Sequence, residues 1–213
     1  MKSLPIIHEE EKELITAAQR GDLNAFNALI GRYQNLLFGI ALRMLNDEDT
    51  ASDAVQEALI SAFSKFRTFR GGSLRSWLAR VTVNACYDEL RRKRRQREVP
   101  LEQFNMEGEE VEDLMWMIDP AALPEERYES YELEDAIQCS LNQLTPAYRE
   151  AVVLVDIEGL SYEEASIAAR VPVGTVKSRL ARARLQMRVS LVGCGDLLPS
   201  QYSMSMSQPV SVL

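Results

Sequence analysis

The chain has 213 residues, 46% of them hydrophobic and 26% charged, with 24 Lys+Arg against 32 Asp+Glu and a formal net charge of −8. That is the make-up of a globular chain of one ordinary domain or two small ones, neither disordered nor fibrous. Its longest aliphatic run, Ala151-Val-Val-Leu-Val155, falls far short of the ~20 residues a bilayer span needs, and no apolar signal-peptide core precedes the acidic run near the N-terminus.

In chain order, residues 10–96 read as helix throughout. Leu14, Ala17 and Ala18 recur at spacings of three and four, and Gly21-Asp22 separates this first helix from a second. The second carries one continuous stripe of helical period: Phe26, Leu29, Ile30, Tyr33, Leu36, Leu37, Ile40 and Met44. Asn46-Asp-Glu-Asp49 breaks the pattern and sets acidic groups at the start of a third helix, where the macrodipole favours them. That helix is predicted to bury Ala51, Ala54, Val55, Ala58, Leu59, Ala62 and Phe63. Gly71-Gly72 ends the segment, and Ser73 is the expected N-cap of a fourth helix through Trp77, Val81 and Leu90.

Residues 97–128 hold Pro100, Gly108, Pro120 and Pro124 among many carboxylates, which is linker composition, with one apolar island at Leu114-Met-Trp-Met-Ile118. Charge is unevenly spread around it. Residues 1–96 carry 15 basic and 12 acidic groups, residues 97–135 carry 2 and 14, and residues 136–213 carry 7 and 6. The acidity belongs to the middle of the chain, so the acidic total does not argue against a nucleic-acid partner for either flank. Beyond it, Thr145-Pro146 opens a helix with Leu144, Ala147, Ala151, Leu154 and Val155 inward, ended by Gly159. Ser161-Tyr-Glu-Glu164 has capping-box spacing, and Pro172 stops the short helix that follows. A last helix is expected from about residue 174 to 189.

A short helix of small residues, a tight turn and a longer basic helix make residues 160–188 a helix-turn-helix. Val176, Leu180, Ala183 and Met187 share its inward side, while Lys177, Ser178, Ala181 and Arg182 lie opposite, with Thr175 at the N-terminal end. Short and cationic side chains of this kind reach base edges in a major groove. Arg179, Arg184 and Arg188 are placed to meet phosphates. A second basic feature, Arg91-Arg-Lys-Arg-Arg-Gln-Arg97, follows a stretch that interleaves Phe63, Phe66, Phe69 and Trp77 with Lys65, Arg67, Arg70, Arg75 and Arg80. Rings that stack bases beside cations that hold phosphates make a base-handling surface around the Gly71-Gly72 loop.

Cys86, Cys139 and Cys194 are too far apart for a Cys-x-x-Cys site or a disulfide framework, and His8 is the single histidine. No cofactor, no metal and no catalytic residue are expected; the chain reads as a cytoplasmic non-enzyme. A nucleic-acid enzyme would need clustered metal-binding carboxylates, whereas the acidic residues concentrate in a proline-containing linker.

Three stretches together resemble a bacterial sigma factor of the extracytoplasmic-function group (group IV of the sigma-70 family): Asp53-Ala-Val-Gln-Glu-Ala58 with Phe63; Phe69-Arg-Gly-Gly-Ser73 followed by Trp77-Leu-Ala-Arg-Val-Thr-Val-Asn84; and Leu160-Ser-Tyr-Glu-Glu164 leading into Val171-Pro-Val-Gly-Thr-Val-Lys-Ser-Arg-Leu180. The resemblance implies an all-α fold of two small helical domains: region 2 over 1–96 and region 4 over 129–190. An acidic linker over 97–128 joins them, and a tail over 191–213 is left unassigned. It implies core RNA polymerase (largest and second-largest subunits) as partner of Asp53, Gln56 and Glu57. The −10 promoter element would meet Phe69, Trp77, Arg80 and Asn84, and the −35 element Thr175, Lys177, Ser178, Arg179 and Arg182. An anti-sigma factor is a further implied partner, with no membrane insertion of this chain. The competing reading is a stand-alone helix-turn-helix regulator, a class that commonly dimerises on paired half-sites.

Overall fold

The computed structural model describes residues 9–98 and 124–193, and no strand occurs among them. Five helices precede the gap: α1 (Glu9–Gln19), α2 (Leu23–Gly31), α3 (Gln34–Leu45), α4 (Glu48–Lys65) and α5 (Leu74–Glu98), with a 3₁₀ turn at Phe66–Thr68. Four follow it: α6 (Pro124–Gln143), α7 (Pro146–Val152), α8 (Tyr162–Ala169) and α9 (Val173–Gly193), with a π-helical segment at Val153–Ile157 after α7. The apolar island at residues 114–118, Cys194 and the tail from 194 onward lie outside the described residues.

Local sequence explains most boundaries. Asp22 caps α2 by accepting from the backbone N–H groups of Asn24 (2.8 Å) and Ala25 (3.1 Å). Asp47 does the same for α4 through the Thr50 N–H at 2.9 Å. At α5 the Ser73 hydroxyl accepts from the Ser76 N–H at 3.2 Å, as the sequence predicts. Gly71 and Gly72 enter that cap with φ of +88° and +92°, in the left-handed region, and a Cβ at either would meet nothing within 4 Å. Glycine is needed there for backbone conformation, not for space.

The stripe from Phe26 to Met44 is two helices, not one. At the end of α2 the N–H groups of Arg32 and Tyr33 bond to Leu29 and Ile30 carbonyls three residues back (3.1 and 2.8 Å), which tightens the last turn. The helix restarts when Leu37 N–H bonds to Tyr33 carbonyl at 3.0 Å. Periodicity survives the break because both pieces keep their apolar side inward, Phe26, Leu29 and Ile30 before it and Leu37, Ile40 and Met44 after. The helix after Thr145 widens instead: Glu158 N–H reaches back five residues to the Val153 carbonyl at 2.9 Å, and Gly159 (φ +65°) closes the turn. Helix α6 begins at Pro124, inside the segment read as linker.

The halves before and after the gap are docked. Their buried residues form one continuous apolar cluster, running from Leu29, Ile40, Leu78 and Cys86 to Leu141, Leu154, Ala165 and Leu180. Helix α5 is the central element, packed against α3 and α4 on one side and α8 on the other. Polar contacts edge the seam. Arg75 donates to the carbonyl of Gly159 (3.3 Å) and to that of Glu158, and Ser73 donates to Glu164 Oε1 at 2.9 Å. Arg149 Nη1 donates to the Met44 carbonyl at 2.7 Å, and Arg43 Nη1 to Gln138 Oε1 at 3.3 Å. At Gly39 the backbone of α3 comes so close that the Glu158 carboxylate occupies the place a Cβ would take.

Candidate nucleic-acid interface

The helix-turn-helix assembles from residue chemistry alone. Ser161 Oγ accepts from Glu164 N–H at 3.1 Å while Glu164 Oε2 accepts from Ser161 N–H at 3.1 Å, a closed capping box at the start of α8. Arg170 ends α8 in the left-handed region (φ +54°), and Ser166 Oγ donates across the turn to the Val171 carbonyl at 2.6 Å. Pro172 forms the entry of α9, its carbonyl accepting from Thr175 and Val176 N–H at 2.8 and 3.1 Å. Ala165 and Ala168 of α8 and Val176, Leu180 and Ala183 of α9 are buried, and small residues on α8 let the two helices approach closely.

That packing turns the opposite side of α9 to solvent. Lys177, Ser178, Ala181 and Arg182 are all exposed, with Thr175 half-buried beside them. Lys177 Nζ lies 5.3 Å from the centre of the Tyr162 ring, a cation–π contact that steadies a long side chain. Ser178 Oγ donates to the Thr175 carbonyl at 3.0 Å. Two of the expected phosphate contacts are engaged within the protein. Arg184 grips Asp156 with two bonds, at 2.9 and 2.6 Å, which raises its guanidinium above its ordinary value. Arg179 Nη1 faces inward, 3.8 Å from Glu150 Oε2.

Glu150 is 3% exposed, the most deeply placed ionisable group among the described residues of the C-terminal half, and it also accepts from the Tyr87 hydroxyl of α5 at 2.8 Å. Burial raises its carboxyl above the ordinary glutamate range, opposed by the Tyr87 bond and then by the Arg179 charge. Nothing in the local sequence marks Tyr87 or Glu150, since the partners lie 63 positions apart.

A second polar surface is a cleft of about 440 Å³ between α4 and α5, whose lining includes Glu57, Lys65, Trp77, Arg80, Asn84 and Arg170. Asn84 is exposed on it and Arg80 half-buried. Burial first, and the Arg170 charge second, push the Arg80 guanidinium below its ordinary value. Trp77 and Phe69, at 8% and 4% exposed, belong to the protein's own aromatic cluster. Phe69 stacks on Phe66 with centroids 5.9 Å apart, and Trp77 meets the edges of both at 5.6 Å. The Phe69 carbonyl is pinned by Gln19 Nε2 at 2.6 Å. Of these rings Trp77 lines the cleft, while Asn84, Arg80 and Lys65 supply its polar surface.

Asp53, Gln56 and Glu57 stand exposed along one side of α4. Ile60, 68% exposed, continues that side, and Phe63 is half-exposed where burial was predicted, its ring packing on Phe26 at 5.1 Å. Apolar residues left uncovered beside acids suit a protein partner. The basic run at the end of α5 is partly neutralised: Arg91 pairs with Asp88 at 2.7 Å, Arg92 with Glu89 at 2.8 Å, and Lys93 donates to Thr50 Oγ1 at 2.8 Å. Among the described residues there is no group of three or more His, Cys, Asp or Glu that could hold a metal, and no helix long and apolar enough to cross a membrane.

Comparison with known proteins gives this geometry a class. The family model for sigma-70 region 2 matches residues 29–96, and that for sigma-70 region 4 matches residues 134–187. The chain is 33% identical to the RNA polymerase sigma-H factor of Pseudomonas aeruginosa, over 84% of its own length and 92% of that protein's. It is 35% identical to the sigma-E factor of Haemophilus influenzae, an extracytoplasmic-function sigma factor (82% and 91%), and 31% identical to SigW of Bacillus subtilis (84% and 96%). Among solved structures, CnrH in complex with the cytosolic domain of CnrY shares the fold (TM-score 0.63, 23% identity, 87% of this chain and 99% of that one). The sigma factor RpoE of Bartonella quintana, in complex with the anti-sigma factor NepR, aligns with a TM-score of 0.58 at 25% identity over 79% of this chain and 98% of that one. The chain belongs to the sigma-70 family, in its extracytoplasmic-function group. It is an RNA polymerase sigma factor, a DNA-binding protein of transcription initiation.

Proposed function

We propose that this sigma factor binds core RNA polymerase, through its largest and second-largest subunits, with the α4 side formed by Asp53, Gln56 and Glu57, extended by Ile60. Region 2 spans residues 1–96 in this reading, the linker 97–128 and region 4 129–190. The −35 element is read by Thr175, Lys177, Ser178 and Arg182, with Arg179 reaching a phosphate once it leaves Glu150. The −10 element is handled at the cleft, where Asn84 and Arg80 contact the unpaired strand and Phe69 and Trp77 hold the pocket's shape. Extruding a base costs a few kcal/mol of stacking, which a preformed pocket offsets. As with the Bartonella relative, an anti-sigma factor is the expected inhibitor. The chain works in the cytoplasm, on the polymerase's chemistry and none of its own.

The observation that carries this is the outward side of α9: Lys177, Ser178, Ala181 and Arg182 are all exposed over a buried apolar side that fixes their direction. The test is transcription by purified core polymerase on a genomic fragment library with and without the chain. Selective start sites are expected with it. Replacing Asp53, Gln56 and Glu57 together by Ala should abolish polymerase binding and spare the α9 side. Unchanged polymerase binding would favour the stand-alone regulator instead.

A further inference from the structure

A lysine that reads a base edge has to be aimed. A flexible four-carbon stem separates its ammonium from the backbone, and holding that stem in one arrangement costs rotamer freedom. Lys177 is exposed near the start of α9, and the Tyr162 ring of α8 lies beside it, its centre 5.3 Å from Nζ. Tyr162 is itself held from three directions. Its backbone opens α8 directly after Ser161 and the closed capping box. Its side chain is half-buried and packs against the apolar core. Its hydroxyl end faces Arg184, whose guanidinium is fixed by two bonds to Asp156 and is favoured as a cation by Asp156 first and by Tyr162 after it. Lys177 and Arg184 are seven residues apart on α9, about 20° short of two full turns, so both leave the helix on one side with Cα atoms about 10 Å apart. Tyr162 lies along that side, ring towards Lys177 and hydroxyl towards Arg184.

We propose that Tyr162 is a positioning residue for promoter recognition: its fixed ring sets the line of the Lys177 side chain over the outward side of α9, and the lysine keeps that ring contact while its Nζ meets a base edge. The inference rests on the −35 reading given above for Lys177. The two contacts are compatible, because an ammonium carries three N–H donors and a ring engages the charge from one side only. Donors remain for an acceptor such as guanine O6 or N7. The ring supplies direction, and Lys177 supplies the choice of base. An unguided ammonium still finds phosphates, for which charge alone suffices. The loss expected without the ring is therefore in base preference more than in total binding.

The experiment uses the full chain assembled with core polymerase and the fluorescein-labelled promoter duplex recovered in the transcription selection. Each −35 base pair is replaced in turn, and binding is read by anisotropy. Lys177→Met marks the base pair at which preference is lost. Tyr162→Leu should lose about twofold to fivefold of the preference at that same base pair, the worth of an exposed cation–π contact, and little elsewhere. Tyr162→Met serves as a second ring-less variant, and Tyr162→Phe, which keeps the ring, should keep the preference. In Tyr162→Leu/Lys177→Met the two losses should not add, because they remove one interaction. A ratio of affinities for two duplexes does not depend on the folded fraction, so a destabilised ring-less variant still reports. Full preference in both ring-less variants, or additive losses, would overturn the proposal. So would equal weakening on every duplex by Tyr162→Phe and Tyr162→Leu alike, the mark of a phosphate contact through the hydroxyl. If Lys177→Met alters preference at no base pair, the −35 reading of Lys177 fails and the inference with it. A preference that Lys177→Met removes and the ring-less variants leave intact condemns the inference alone.

Discussion

Tyr87→Phe probes the most deeply buried carboxyl group among the described residues. The substitution keeps the ring and deletes one hydroxyl, which donates at 2.8 Å to a carboxylate only 3% exposed. The remaining cation, Arg179, is 3.8 Å away, too far to replace the lost hydrogen bond. A buried charged acceptor short of one partner costs about 1.5–3 kcal/mol. For a chain of this size that is roughly a 4–10 °C fall in melting temperature. The effect carries a pH signature. Burial, and then the Glu150 charge, hold the Tyr87 hydroxyl above its ordinary value, so it stays a neutral donor throughout. Burial raises Glu150 above 4.5, so the folded chain holds that proton more tightly than the unfolded one. Its stabilising contribution is therefore complete below about pH 4.5 and is lost as pH rises through the raised folded value. Removing Tyr87's hydrogen bond raises the folded value further, so the variant loses more over that rise. Urea midpoints at pH 7.5 and 4.5 should show the wild-type-to-variant gap shrinking towards about 1 kcal/mol, the worth of a neutral bond, at the lower pH. An equal gap at both pH values, or none at pH 7.5, would refute a charged, Tyr87-dependent Glu150.

Three further outcomes follow from the same geometry. Ser161→Ala opens the capping box and should cost about 1 kcal/mol, read as a lower urea midpoint, with Ser161→Asp restoring most of it. Leu180→Ala, at a position 2% exposed under the recognition helix, should destabilise by about 2–5 kcal/mol and weaken promoter binding in proportion to the unfolded fraction. Arg182→Ala should leave the urea midpoint unchanged and weaken promoter binding by about 1–3 kcal/mol with an altered −35 preference, measured by anisotropy on variant duplexes. Equal weakening on every sequence would make Arg182 a phosphate contact.

Local chemistry was legible wherever it acts over a few residues. The capping box at Ser161, the stop at Pro172, the glycines before Ser73 and the split of α9 into an apolar and a polar side all depend on neighbours within one or two turns, so the residue order states them. The break at Arg32–Tyr33 was hidden, because a shift to bonds three residues back leaves the apolar period intact. Interleaved rings and cations suggested a stacking surface, yet Phe69 and Trp77 turn inward, since an aromatic ring that can satisfy its surface against Phe66 does so before it faces water.

From the residues by themselves came the family, the all-helical class, the helix-turn-helix and the acidic middle that divides two more basic flanks. Tertiary structure alone decided that those flanks dock along α5, that Glu150 is gripped by a tyrosine from the other half, and that Arg179 points inward while Lys177 and Arg182 point out. The reason is range: caps and periodicities are set by atoms a few bonds along the chain, whereas the seam's polar contacts join residues 63 to 105 positions apart, whose charges read locally as ordinary solvated helix faces.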